Sequence, residues 1–298
     1  MSNNVLVIGD SILDETIVCS VLGTSLETPT LKVKQESAEV EFGGASNVVK
    51  HLLELGARVT YITVIGEDKY SDFYHDWEHP SLNIIPIFTK RKNVVKSRFW
   101  VEKAVKYKYL QVNIGDKKQY EDSVFNSIVS KISQIKNVDC IVLIDYGIGL
   151  FLNKEQTDSM MPILKKINAP IIFSSQLSSN KNNYPNFKGV DFMCMNQEEA
   201  LENLDSFEPN ESKIIQLSSI LESNICVTLG DKGSIFKSDS VFINDSYKVQ
   251  SIDTCGAGDA FLASFILNFK KGNLSDCNKW AALSTKYLGT KTPSRFDL

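Results

Sequence analysis

Hydrophobic and polar positions follow two rhythms along this chain. Short, nearly unbroken apolar runs recur: "NVLVIGD" (4–10), "VTYITVIGED" (59–68), "DCIVLIDYG" (139–147), "PIIFSS" (170–175), "VDFMCMN" (190–196) and "NICVTLG" (224–230). They are rich in β-branched residues, and most end at Gly, Asp or Asn. Such runs predict strands buried on both faces. Between them apolar residues return at helical spacing, as in "SVFNSIVSKISQI", "EQTDSMMPILKKI" and "EEALENL". In "GGASNVVKHLLELGA" (43–57), Val48, Leu52, Leu53 and Leu55 line one side. Ser46 or Asn47 is the expected cap there, and Gly56 fits the stop.

Two segments depart from this alternation. "TPTLKVKQESAEVEF" lies within residues 15–42, and residues 84–113 read "IIPIFTKRKNVVKSRFWVEKAVKYKYLQVN". Both alternate loosely and carry polar faces, which predicts a small, half-exposed sheet with strands from about 15–42 and 86–112. "GSIFKSD" opens a short hairpin, and "SSNKNNYPN" (178–186) is a polar loop. Alternating strands and helices predict an α/β fold, a doubly wound and mostly parallel sheet flanked by helices. The small sheet interrupts it, within one domain spanning residues 1–298.

Composition narrows the function classes. A net charge of −4 gives no electrostatic case for nucleic acid as partner. No apolar run approaches the roughly 20 residues that span a bilayer. "MSNNVLVIGD" lacks a basic segment and a cleavage site, so no signal peptide is expected. The six cysteines (19, 140, 194, 226, 255, 277) are scattered without a CxxC, which fits reduced thiols in the cytoplasm. His75 and His79 have i,i+4 spacing, but the stretch before Pro80 reads as a solvated helix end.

Ligands of open α/β sheets bind beyond the carboxyl ends of the strands. Those ends carry Gly9-Asp10, Gly66-Glu67-Asp68, Asp145-Tyr146-Gly147, Asn196 and Gly230. One further stretch, "DTCGAGDAF" (253–261), places three small residues before a carboxylate and an apolar helix. Small residues admit close backbone approach, and a helix start offers free N–H groups and partial positive charge. Gly256, Ala257 and Gly258 therefore make a candidate anion hole for a phosphate. Asp259 is either a helix cap or a general base for phosphoryl transfer, which chiefly needs a positioned nucleophile, donors and a divalent cation.

These residues resemble the PfkB (ribokinase-like) carbohydrate kinases. "DTCGAGDAF" matches their DTxGAGDxF signature, and "FGGASNVVKHLLELGA" their GGxxxNxAxxxxxLG signature, about 200 residues earlier. "MNQEEA" matches NxxE, and "VTLGDKGSIF" the segment along the nucleotide. The resemblance covers essentially the whole chain. It implies ATP and Mg²⁺ as cofactors and a catalytic base at Asp259, with the backbone of Gly256, Ala257 and Gly258 around the transferred phosphoryl group. Asn196 and Glu199 would hold Mg²⁺ through water. Thr228, Gly230, Gly233 and Thr254, with Asn196, would lie along the nucleotide. Asp10, Asp14, Gly43, Gly44, Asn47 and Asp145 would face the sugar.

Within that family, "GDSILDE", "SLETPTLKV", "GGASNV", "KSR" and "DYGIG" look like the heptose 7-phosphate kinases of ADP-heptose synthesis. Lys96 and Arg98 would then reach the acceptor's phosphate or hydroxyls. Departures stand beside the matches. Gly23-Thr24 replace an arginine, "FWVEKAVKYKY" lacks an Arg/Gln-rich run, "FSSQ" stands for DPK, and Ile148 takes the place of a lysine. These positions face substrate in the subgroup, so the acceptor stays open between heptose 7-phosphate and another phosphorylated or free sugar. A nucleoside kinase, which lid aromatics such as Phe99, Trp100, Tyr107 and Tyr109 would favour, and a catalytically silent sugar- or nucleotide-binding homologue are the alternatives. No second, nucleotidyltransferase domain is expected. The small sheet should close over the sugar as a lid and pair two copies into a homodimer.

Overall fold

The computed structural model describes residues 3–102, 106–115, 117–177 and 182–298. Residues 103–105 of the expected lid range and 178–181 of the polar loop lie outside them.

In chain order the strands are β1 (Asn4–Gly9), β2 (Ser11–Thr24), β3 (Leu31–Gly44), β4 (Arg58–Gly66), β5 (Leu82–Thr89), β6 (Val95–Glu102), β7 (Lys106–Ile114), β8 (Cys140–Asp145), β9 (Ile171–Ser175), β10 (Phe192–Asn196), β11 (Asn224–Thr228), β12 (Ser234–Lys237) and β13 (Val241–Asn244). The helices are α1 (Ala45–Glu54), α2 (Ser71–His75), α3 (Asp122–Ile132), α4 (Lys154–Lys165), α5 (Gln197–Leu201), α6 (Glu211–Leu221), α7 (Ala257–Asn268) and α8 (Ser275–Ser284).

Nine strands form one sheet in the order β13-β12-β11-β10-β9-β8-β1-β4-β5. Its pairs are parallel except at the β11-β12-β13 edge. Alternating side chains of one strand feed two cores, as expected for a strand covered on both faces. Leu6 and Ile8 pack with Phe125, Ile128, Met160 and Ile214, under α3, α4 and α6. Val5 and Val7 pack with Val48, Leu52, Phe261 and Phe265, under α1 and α7. Each such side chain contributes about 1.5–3 kcal/mol by leaving water.

The second sheet has the order β3-β2-β6-β7. It enters the large one through two crossovers, since β2 and β3 lie between β1 and α1, and β6 and β7 lie between β5 and α3. Its strands run over 11–44 and 95–114 rather than 15–42 and 86–112. Residues 86–89 belong to β5, which pairs in parallel with β4 at the edge of the large sheet. The expected cap of α1 is also displaced. Gly44, at φ 59°, is the N-cap, and Ser46 and Asn47 are buried inside the helix. Only glycine takes that φ cheaply, and a Cβ there would stand 2.8 Å from the Asp10 carbonyl oxygen.

The order reverses at β1, whose neighbours are β4 on one side and β8 on the other. That is the topological switch point where such sheets hold ligands.

Candidate active site

The turn before α7 builds the centre of the site. Asp253 accepts the Cys255 amide at 3.1 Å, and the Ala257 amide donates to the Thr254 carbonyl at 3.2 Å. Gly256 then adopts φ 77° as the helix N-cap, and no side chain caps the helix. A Cβ on Gly256 would meet Asn47 Nδ2 at 2.8 Å, whereas one on Gly258 would point into open space. Among the described residues the amides of Gly256 and Gly258 meet no protein acceptor. The result is a concave helix start with free donors, suited to an anion.

Asp259 lies half-buried in the first turn and does not cap it. Asn47 Nδ2 donates to its Oδ2 at 2.9 Å, and the Tyr146 hydroxyl donates to its Oδ1. Burial pushes the carboxyl up to about 6, although both donors and Lys96 pull it down. A carboxylate poised near neutrality suits a general base. The buried Oδ1 of Asn47 has no partner, which leaves an acceptor free beside it.

Tyr146, Gly256, Gly258 and Asp259 floor a cleft of ≈ 940 Å³, whose wall includes Asp14, Gly44, Lys96, Arg98 and Thr290. Asp14 and Arg98 are both buried and form an ion pair across neighbouring strands of the small sheet. Lys96 stands over the Tyr146 ring at 5.3 Å, and burial lowers its pKa. Asn196, Thr228, Gly230 and Thr254 line the far end of the same cleft.

Two smaller spaces adjoin it. One, of ≈ 290 Å³, runs from Gly230 and Gly233 past Tyr247, Val249, Phe261 and Ala281. It is largely apolar and can take a flat heteroaromatic ring. The other, of ≈ 120 Å³, is lined by Asp145, Asn196, Glu199, Gly258 and Asp259, among others. The side-chain oxygens of Asn196 and Glu199 on one side of it suit a hard divalent cation that keeps its waters. Among the described residues no three His, Cys, Asp or Glu side chains gather closely enough to cage an ion directly.

The model of the pfkB family of carbohydrate kinases matches residues 2–295. The chain belongs to this family. As a pfkB protein it is a carbohydrate kinase by class. It is 27% identical over 293 residues to a protein of Nitratiruptor sp. named bifunctional protein HldE, covering 95% of this chain and 61% of that one. The HldE protein of Campylobacter curvus is 26% identical, with 97% and 62% covered. The chain thus spans less than two thirds of these relatives. Phosphofructokinase-2 from Escherichia coli superposes with a TM-score of 0.79 at 16% identity, covering 100% of this chain and 97% of that one. Ribokinase from Thermotoga maritima gives 0.73 at 21%, covering 98% and 97%. These two likenesses show the fold.

Several residues assigned by the pfkB motifs stand away from the main cleft. Asp10 is buried, and its carboxylate accepts the amides of Tyr146, Ile148 and Leu150 at 3.0, 3.3 and 3.3 Å. It fastens the loop after β8 instead of reaching a sugar. Asp145 accepts Gly147 N, Ser175 Oγ and Asn183 Nδ2, and borders the small cavity rather than the main cleft. Gly43 lies behind Asp14, whose Oδ2 would be 2.3 Å from a Cβ there. The Ala257 amide is spent on Thr254 and its residue lines the apolar space, so the anion hole reduces to Gly256 and Gly258. Gly233 also lines that space, and it lets the chain pass the Asn244 carbonyl.

Glu199 is held in place by several donors. It forms a capping box with Asn196 at the start of α5, and its Oε2 also accepts the Tyr184 hydroxyl at 3.2 Å. Burial pushes it up to about 7. Sequence reasoning passed over Tyr146, Gln176 and Thr290, all of which line the cleft. Tyr146 was visible only as the aromatic residue inside the rim segment Asp145-Tyr146-Gly147.

Proposed function

We propose that this chain transfers the terminal phosphoryl group of ATP to a hydroxyl of a sugar phosphate of the heptose 7-phosphate type, giving a 1,7-bisphosphate for nucleotide-sugar or surface-glycan synthesis. The observation that carries the reading is Asp259 in the cleft floor, one residue after the free Gly258 amide. Asp259 accepts the proton of the acceptor hydroxyl. The freed oxygen pair forms the new P–O bond as the bond to the leaving diphosphate breaks, and ADP departs with that electron pair. The Gly256 and Gly258 amides meet the charge on the transferred group, which is where preorganised donors help most.

The apolar space takes the adenine ring. Asn196 and Glu199 would hold Mg²⁺ through its waters in the small cavity, and the ion, when bound, would supply neutralisation of phosphate charge. Among the cations of the described cleft, Arg98 is tied to Asp14, whereas Lys96 rests on an aromatic face and is available to the acceptor's phosphate. The HldE likeness supports the heptose class. The small sheet closes over the sugar and excludes water. Tyr107, Tyr109, Leu110 and Val112 are exposed on β7, and we assign this sheet to a homodimer. A monomer by light scattering at micromolar concentration would remove that assignment. Among the described residues no helix is long and apolar enough to cross a membrane. We place the reaction in the cytoplasm, where ATP and reduced thiols coexist.

The test is ADP release with ATP and Mg²⁺ across heptose 7-phosphates, hexose phosphates, free heptoses, ribose, fructose and adenosine. Turnover on a heptose 7-phosphate that Asp259→Asn abolishes supports the reading. Turnover on another sugar, or on adenosine, keeps the kinase and discards the heptose class. Silence across the panel with nucleotide still bound favours a binding protein.

A further inference from the structure

Tyr146 connects three parts of the site. Its backbone is fixed just past the end of β8, where the Asp10 carboxylate accepts its amide at 3.0 Å and Asp145 accepts the next amide, that of Gly147, at 2.7 Å. Its ring packs with Ile12, Val94 and Ile148 and lies under the Lys96 ammonium of β6. Its hydroxyl donates to Asp259 Oδ1 on α7. With Asn47 on Oδ2, each carboxylate oxygen has one donor and keeps one lone pair for the acceptor hydroxyl. Two donors on one carboxylate favour its charged form and fix its plane.

We propose that Tyr146 is a positioning residue for Asp259: its hydroxyl aims the carboxylate and keeps it ionised, while its ring carries the lysine that faces the acceptor. The proposal rests on the reading of Asp259 as the base. Burial and the neighbouring Asp259 charge push the Tyr146 phenol well above its usual range, so it remains a donor at neutral pH. The other charged or titratable groups around Asp259 are Asp14 on β2, Lys96 on β6, Lys50 on α1 and Cys255 before α7, with Arg98 of β6 in the same cleft wall. Asp14 raises the Asp259 carboxyl and Lys96 lowers it. None of these cations makes a hydrogen bond to it among the described residues, so Tyr146 and Asn47 alone fix its direction.

The experiment needs no knowledge of the acceptor. The full chain is labelled with [4-¹³C]aspartate, the Asp259 resonance is identified by its loss in Asp259→Asn, and its titration is followed. The expected midpoint is near 6 in the unmodified protein. In Tyr146→Phe it rises by about one to two pH units, because a hydrogen bond to a charged group is worth that much. Superimposable titrations overturn the proposal, as does a variant that only melts earlier with the midpoint unmoved. If Tyr146→Phe does not fold, 3,5-difluorotyrosine at position 146 replaces it. That stronger donor moves the midpoint down, and an unmoved midpoint overturns the proposal. Asp259→Asn assayed with the sugar panel decides the base reading separately. Unchanged turnover there overturns that reading, whatever the titration shows.

Discussion

Strands β1 and β3 both lead to the site, β1 to the Asp10 carboxylate that fastens the loop after β8 and β3 to Gly44 in the cleft wall, yet they arrive through different surroundings. In β1 every residue after Asn4 is buried, and it pairs in parallel on both sides. In β3 the stretch after Leu31 is exposed until Val40, and only its last residues, Phe42 to Gly44, are buried. The contrast extends to their sheets. The nine-stranded sheet is buried on both faces, and β10 and the α7 helix packed against that sheet carry the groups proposed for cation and phosphate. The β2-β3 hairpin of the four-stranded sheet is well buried only near its root, on the side where Asp14, Lys96 and Arg98 face the cleft. The difference teaches that position along a lid strand, rather than membership of the lid, decides what a residue does.

Four substitutions and one titration would break or sharpen this comparison. Asp259→Asn should lower turnover by about 10²–10⁴-fold, the usual worth of a general base, with nucleotide affinity retained by isothermal titration. Near-normal turnover would take the chemistry away from the start of α7. At the lid root, Arg98→Met leaves Asp14 buried without its partner and should cost about 3–5 kcal/mol in urea unfolding. The Lys291–Glu39 pair holds the exposed part of β3, with both side chains largely in water. Lys291→Met should therefore cost less than about 1 kcal/mol. Equal losses would erase the distinction between root and tip.

Gly258→Ala separates chemistry from stability. Its Cβ meets no protein atom but fills the cradle, so turnover should fall on the order of 10²-fold through displaced phosphate. Unfolding should show a gain of up to about 1 kcal/mol, since alanine is the better helix former. A loss of stability instead would mean that the cradle is packed rather than open.

The last test concerns pH. Asp10 is pushed up to about 7, chiefly by burial and next by Asp145, while Glu199 is raised to about 7 and Asp259 to about 6, both chiefly by burial. These values exceed the unfolded ones near 4. Their contribution to stability is therefore complete below about pH 4 and is lost as pH rises through 6 to 7. The melting temperature should rise when the pH is lowered from about 8 to about 5.5. A fall would show that the three carboxylates are ionised at little cost.

Much of this was legible in the chain. β1, β4, β8, β10 and β11 announce themselves because strands covered on both faces must be apolar throughout. β5 was misread as a lid strand for a physical reason. "LNIIPIFT" is an edge strand with several half-exposed side chains and an internal Pro86, which an edge tolerates. The small-residue helix start at 256–258 was legible because a phosphate cradle excludes side chains. The work of Asp10 was not. Its partners lie 136 to 140 residues away, and a carboxylate on backbone amides leaves no pattern in the sequence. Asn47 was read as a sugar ligand on motif grounds, whereas its bond to Asp259 spans 212 positions.

The way the lid is rooted has a mechanical consequence. Only Asp10 separates β1 from β2, and nothing separates β3 from α1. The hairpin is clamped at both roots like a cantilever and has no slack for a swinging hinge. It is about 45 Å long at strand rise. Its ladder is interrupted at Val18/Cys19 and Val21/Gly23. A loaded beam bends where it is weakest, so deflection concentrates beyond those two bulges. Bending at the bulges would move the free end and leave Asp14, four residues inside the first bulge and close to the clamp, nearly in place.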